Sequence, residues 1–300
     1  IVEAMDLSKL YARIAAVEGG SGRPAIDPAL LVGVWLYATL EGVGSARQLE
    51  RLCEEQLSFQ WLLGGVSVNY HTLADFRVGY ETELDELLVK GVAALMESGL
   101  VKLEQTAQDG IRVRAHAGTS SFRRKESLQG HLEQAEARMQ ALKAQREADE
   151  SSKVTRRQQA ARERAARERV ERVKQALEAV EAVEAKKAKN RESKREDKPA
   201  RGSTTDAEAR VMKMPDGGFR PALNGQFVVD MTSRMMVGVA VSNEADQCLL
   251  EPVVEQVHDD YKRWMKEHYV DGGFRSNAAT ESLAQHDIQL YTPIPRSYNK

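Results

Sequence analysis

Cysteine is scarce in this chain: Cys53 and Cys248 are the only two in 300 residues, far apart and without CxxC spacing. That excludes a disulfide framework and a cysteine zinc site. The six histidines are scattered, and His116, His131, His258 and His268 form no metal-ligand pattern. No run approaches the ~20 apolar residues that a membrane span needs. No signal peptide follows Ile1, and the expectation is a fragment of a soluble cytoplasmic protein, with no membrane partner. Apolar residues make up 42% of the chain, enough for a sizeable core, and 300 residues suit roughly two domains at about 150 residues each.

Net charge is also small, at -2, but it is unevenly placed. From Arg123 to Arg201 there are 23 Lys+Arg against 15 Asp+Glu, while the remainder holds 20 against 30. A basic module is set inside an acidic protein.

The first hundred residues read as short helices. Asp27-Pro28 is an N-cap followed by proline at the first helical position, and Leu30, Val34, Tyr37 and Leu40 then repeat at helical spacing. Ser45 with Gln48 reads as a second helix start, and Asn69 to Gly79 as a further short helix. Leu84, Leu87, Leu88, Val92 and Leu95 lie on one face of a helix closing at Gly99. Such an array suits a compact DNA-binding domain or any small helical bundle.

After Leu100 the period changes. Ile111 and Val113 alternate with Arg112 and Arg114 in a strand at Gly110 to Ala115. Phe227 to Asp230 and Met235 to Val241 read as a hairpin around Met231-Thr-Ser-Arg234. Leu249 to Glu267 reads as a helix, His268 to Val270 as a strand, Ser276 to His286 as a helix and Ile288 to Thr292 as a strand. The expected fold class is α+β or α/β: an all-helical domain at 1–100, then a mixed-sheet core built from 101–122 and 203–300.

The basic stretch 123–202 interrupts that core. Leu128, Leu132, Ala135, Met139 and Leu142 step by four and three, as do Ala166, Val170, Val173, Leu177 and Val180. Both are coiled-coil seams. A straight helix of ~70 residues would part its ends by about 100 Å, yet the strands on either side must meet. An antiparallel helical hairpin turning within Ala148 to Thr155 returns the chain. Asn190 to Thr205, charged or small, reads as poorly ordered.

Two aspartates end strand-like runs: Asp109 in Gln-Asp-Gly-Ile-Arg-Val-Arg and Asp271 in His-Tyr-Val-Asp-Gly-Gly-Phe. Phosphodiester cleavage needs an activated oxygen nucleophile and relief of charge on the leaving oxygen. Two Mg²⁺ ions about 3.5–4 Å apart provide both, and Mg²⁺ takes a few carboxylates and leaves its other positions to water and phosphate. A glycine beside each acid permits close approach of substrate backbone. Asp-Gly is equally a common turn dipeptide. Asp216-Gly-Gly-Phe repeats the tetrapeptide after Lys-Met-Pro and reads as a turn, and Asp230 reads as the cap of its hairpin.

The chain resembles transposases of bacterial insertion sequences with a ribonuclease H-like DDE catalytic domain. The resemblance is carried by Ile26-Asp-Pro-Ala-Leu-Leu, Gly44-Ser-Ala-Arg-Gln-Leu-Glu, Phe59-Gln-Trp-Leu-Leu-Gly and His71-Thr-Leu-Ala-Asp-Phe-Arg. In the second half it rests on Asp109-Gly-Ile-Arg-Val-Arg-Ala, Ser203-Thr-Thr-Asp-Ala-Glu-Ala-Arg with Pro221-Ala-Leu-Asn, and Tyr269-Val-Asp-Gly-Gly-Phe. It implies that Asp109 and Asp271 are the first two metal-binding acids, holding two Mg²⁺ or substituting Mn²⁺ ions with a glutamate beyond residue 300. Without that glutamate the fragment is expected to be inactive. The resemblance also implies DNA partners (terminal inverted repeats and target DNA), a homodimer on DNA and association with the nucleoid. Arg47, Arg77, Arg112 and Arg114 are candidate DNA contacts. A coiled-coil or DNA-binding protein without chemistry, another nuclease on the same fold and an inactive transposase remnant are the rival readings.

Overall fold

The computed structural model describes residues 2–14, 25–148, 153–189 and 199–293. The chain divides into two compact units, Ile1–Val101 and Lys102–Lys300.

The first unit is helical: α1 (Ser8–Ala12), α2 (Pro28–Leu40), α3 (Ala46–Glu55), α4 (Leu57–Leu63), α5 (Tyr70–Gly79) and α6 (Glu81–Glu97). The starts of α2, α3 and α5 are capped by side chains, as the sequence suggests. The Asp27 carboxylate accepts from Ala29 N at 2.9 Å, Ser45 Oγ from Gln48 N at 3.4 Å and Asn69 Oδ1 from Thr72 N at 2.8 Å. Left-handed Gly64 ends α4, and Gly99 follows α6 in the same conformation. The core joins Leu31, Val34, Trp35, Leu49, Phe59, Leu63, Leu73 and Phe76.

The buried stripe of α2 differs from the one expected. Leu31, Val32, Val34, Trp35 and Ala38 point inward, whereas Leu40 is 84% exposed. The helix is apolar nearly all round, so hydrophobicity alone could not orient it.

In the second unit, β1 (Gln105–Arg114) is central. Two further strands, β2 (Phe122–Arg123) and β3 (Gly202–Ser203), form their own antiparallel ladder. Between them run α7 (Lys125–Ala148) and α8 (Lys153–Lys189). Then follow β4 (Arg210–Lys213), β5 (Phe219–Asp230), β6 (Met236–Ser242), α9 (Leu250–Tyr261), β7 (Glu267–Val270), α10 (Asn277–Gln285) and β8 (Gln289–Tyr291). The main sheet runs β4-β5-β1-β7-β8, with β6 also on β5. β5 is antiparallel to β1, β4 and β6, while β1, β7 and β8 are parallel. This is an α+β architecture with a mixed sheet.

Several expectations about extent need correction. β1 begins at Gln105, not Gly110, and β5 begins at Phe219, not Phe227. The first third of β5, Phe219 to Ala222, pairs with β4, a strand not foreseen, and Asp216-Gly217 turns between them. α9 stops at Tyr261, because Lys262 adopts a left-handed cap with φ 53°.

One face of the sheet is closed by helices. At Gly238 on β6 a side chain would overlap Val257 of α9, with a Cβ at 2.6 Å from its Cγ2. Trp264 is sandwiched between His258 at the end of α9 and His286 after α10, with ring centroids at 3.8 and 4.0 Å. On the opposite face Ile111 and Val113 are 51% and 52% exposed. The alternation expected in β1 is therefore present but inverted: Arg112 is the half-buried side chain and its apolar neighbours are exposed.

The two long helices run antiparallel. Lys125 meets Glu181 at 3.0 Å and Lys174 meets Glu136 at 3.4 Å, so early residues of α7 face late residues of α8. Leu128, Val173, Ala176 and Val180 form a seam that also takes in Ala200. The turn expected at Ala148 to Thr155 lies in part outside the described residues. So does most of Asn190 to Thr205, but its last part is ordered: Ala200 is buried and Gly202–Ser203 pair with β2. No described helix is long and apolar enough to cross a membrane.

Candidate active site

β1 and β7 are parallel neighbours whose last registered pair is Gln108 with Val270. The residue after each is an aspartate, Asp109 still within β1 and Asp271 directly after the end of β7. Asp109 and Asp271 thus stand at the same level of adjacent strands, which in sheets lie about 4.8 Å apart. Both are exposed. Each carboxylate accepts one local backbone N–H: Asp109 from Gly110 N and Asp271 from Gly273 N, both at 2.7 Å. Asp271 also starts the 3₁₀ turn Gly272–Phe274, and its carbonyl accepts from Thr292 Oγ1 at 3.3 Å. Neither acid has an ion-pair partner among the described residues.

The other two aspartates weighed from sequence have structural work. Asp216 binds Gly218 N at 3.0 Å and Arg220 Nη1 at 2.8 Å, and Arg220 holds its pKa down at about 2. Asp230 is buried, taking Leu103 N at 3.0 Å on one oxygen and Ser233 N at 2.8 Å on the other.

Behind the exposed acids lies a polar network with no counterpart in the sequence reading. Gln226 Nε2 donates to Asn224 Oδ1 at 2.9 Å and to Asp246 Oδ1 at 3.0 Å, and Asn224 Nδ2 donates to Asp246 at 2.9 Å. Arg112 closes it, with Nη2 at 2.7 Å and Nη1 at 3.1 Å from the two Asp246 oxygens, and a further short bond to Asn224. Burial raises the Asp246 pKa, but hydrogen bonds from Arg112, Asn224 and Gln226 and the Arg112 charge outweigh it, leaving the carboxyl below its ordinary value. The network continues through Gln108, which donates to Gln226 Oε1 at 2.9 Å, to His268 and Thr106. Gln108 Oε1 can only accept, so His268 carries its proton on Nε2 and takes the Thr106 hydroxyl on Nδ1. Burial pulls the His268 pKa from 6.5 to about 4, so the ring is neutral near pH 7.

Gly110 lies against this network. A Cβ there would overlap Gln226 Nε2 and come within 2.9 Å of Asp246 Oδ1. The glycine after Asp109 therefore makes room for the chain's own side chains, not for substrate backbone. Gly272, beside Asp271, does have open space. The available signal was the period-two pair Asn224-x-Gln226 between apolar Leu223 and Phe227, which marks polar side chains turned inward.

The four candidate arginines fall in different settings. Arg112 is committed to Asp246, whereas Arg114 is exposed. In the helical unit, Arg77 lies over the Trp35 ring at 4.2 Å and donates to Gly44 O at 3.1 Å. Arg47 lies over Tyr70 at 5.1 Å.

Two exposed carboxylates suit a hydrated Mg²⁺, which keeps several waters and accepts one or two protein oxygens. No cluster of three or more His, Cys, Asp or Glu able to hold a metal occurs among the described residues. A search of the curated proteins finds no match for the chain. Residues 1–78, most of the helical unit, match the model of a family described as "Transposase domain (DUF772)", and in that region the chain is similar to a transposase domain.

Proposed function

We propose that the protein is a DDE-type DNA transposase whose second unit is a ribonuclease H-like catalytic core. The single observation that carries the reading is that Asp109 on β1 and Asp271, directly after the parallel strand β7, each follow the last registered pair of the two strands, both exposed and without an ion pair among the described residues. The family match over residues 1–78 supports the transposase part independently. A mixed sheet, with β5 antiparallel to β1, β4 and β6 and with β7 and β8 parallel to β1 and joined through helices, supports a core of this kind.

Asp109 and Asp271 would hold Mg²⁺, or Mn²⁺ in its place, and the bound ions would activate the attacking oxygen and relieve charge on the leaving one. The strands fix both carboxylates by backbone geometry, so they need little reorganisation when DNA arrives. Asp246 lies close behind them, near enough that a Cβ on Gly273 would be 3.0 Å from Asp271 Oδ1 and 3.8 Å from Asp246 Oδ2. Its charge is already satisfied by Arg112, so we assign it to positioning the end of β1 and assign no third metal-binding acid among the described residues. The partners in this reading are terminal-repeat and target DNA, with two copies of the protein bridging two ends.

The test uses protein expressed from its whole reading frame, labelled terminal-repeat DNA and Mg²⁺ or Mn²⁺. Asp109→Asn and Asp271→Asn are each expected to lower strand cleavage by at least roughly a thousandfold, as loss of a group central to the transition state does. Undiminished cutting by either variant sinks the assignment. Cleavage by the wild type without any strand-transfer product favours a nuclease on the same architecture.

A further inference from the structure

At the base of the α7–α8 hairpin there is a cavity of about 290 Å³ lined by Arg123, His131, Arg169, Arg172, Val173, Thr204 and Thr205. We propose that it binds a phosphate group, and that its source is the backbone of DNA held by the hairpin; the second clause rests on the DNA-handling reading above.

The chemistry of the lining is one-sided. Three guanidinium groups from three places in the chain converge: one from β2 and two from consecutive turns of α8. Some other cations of the hairpin are paired, as Lys125 is with Glu181 and Lys174 with Glu136. Arg123, Arg169 and Arg172 have no carboxylate within ion-pair reach among the described residues, and Arg172 uses only Nε, on the Glu168 carbonyl at 3.3 Å. Like charges brought together without a counter-ion repel, and a dianion or phosphodiester removes that repulsion. His131 adds a second observation. Its Nδ1 is shielded from solvent and has no hydrogen-bond partner, an exception to the rule that buried polar atoms are paired.

The fold builds this cavity by close packing. Gly202 lies so tightly against α8 that a Cβ would overlap the Ala176 carbonyl and sit 3.0 Å from Val180 Cγ2. This contact sets Thr204 and Thr205 beside Arg169 and Arg172. Thr204 N is held by Ser121 O at 3.2 Å and Thr205 N by Ser203 Oγ at 3.2 Å. Arginine forks with hydroxyl and imidazole donors around one small cavity suit phosphate oxygens better than a carboxylate or a metal ion.

The test compares three full-length chains: wild type, a pocket triple R123Q/R169Q/R172Q, and a control triple R157Q/R162Q/R164Q that removes the same charge elsewhere on α8. Anisotropy with a labelled mixed-sequence duplex is followed against salt, and pyrophosphate binding is followed by calorimetry. Circular dichroism checks that all three chains keep their helix content. The pocket triple is expected to bind the duplex about tenfold more weakly, with a log–log salt slope smaller by about one phosphate, while the control changes less. Equal losses from the two triples would overturn the site, because binding would then follow diffuse charge. Duplex binding that is unchanged in the pocket triple, with no pyrophosphate bound by the wild type, overturns the pocket and leaves the transposase reading intact. Pyrophosphate bound by the wild type and lost in the pocket triple, without any duplex binding, supports the phosphate site and counts against its DNA source.

Discussion

At the scale of single residues, the second unit depends on polar groups that are buried only because each finds a partner. His268 is the clearest case. Its folded pKa of about 4 lies below the 6.5 of an exposed imidazole, so between those values the unfolded chain binds more protons. Stability is therefore full above pH 6.5 and falls as pH drops toward 4, by up to about 3 kcal/mol. Calorimetric unfolding of the sheet unit at pH 7 and pH 4.5 is expected to show this loss, and His268→Gln should remove most of the pH dependence whatever it does to stability at neutral pH. A variant with the same pH dependence as wild type would show that another group is responsible. Gly110 makes a sharper prediction. Gly110→Ala puts a methyl group where Gln226 and Asp246 meet, and it should destabilise the unit by about 1–3 kcal/mol, the usual cost of overpacking. Thermal denaturation reads this directly, and an unchanged melting temperature would refute it.

Among the secondary elements, local chemistry was legible where it was strong. Asp27, Ser45 and Asn69 were read as helix starts and do cap α2, α3 and α5, because a side-chain oxygen on an orphan N–H leaves a local signature. The parallel strands β7 and β8 were legible from short apolar runs between helices. The β4–β5 pairing was not, since Arg210–Lys213 is only four residues long, with two apolar residues between two charged ones and no alternation to mark a strand. Nor was the orientation of α2, apolar on every side. At the candidate site, Asp109 and Asp271 stood out by position, but Asp246 did not. Its importance comes from Arg112, Asn224 and Gln226, which are 134, 22 and 20 residues away and meet it only once the sheet forms. Gly202 carries the element-scale prediction. Gly202→Ala should loosen the β2–β3 ladder from α8, raising hydrogen exchange at Ser203 and Thr204 by tenfold or more, an estimate for roughly 1.4 kcal/mol of local opening. Exchange as slow as in wild type would mean that α8 accommodates the methyl group.

For the whole molecule, charge and family likeness fall on different parts. Residues 1–101 contain 7 Lys+Arg against 14 Asp+Glu, so the part similar to a transposase domain is acidic. Any grip it has on DNA must come from a particular face and not from net charge. The positive field belongs to the hairpin, whose excess of cations is screened by salt over about 10 Å at 0.1 M. The β2–β3 ladder then has a consequence of another kind. Because α7 and α8 leave and rejoin the sheet unit through neighbouring two-residue strands, the hairpin is topologically one long loop with its ends tied together. Closing a loop costs little more as it lengthens, so matched turns can be gained or lost from both arms above Arg169 without shifting any strand of the sheet. The far end of the hairpin is thus open to change in length, and a tag or sensor could be spliced there.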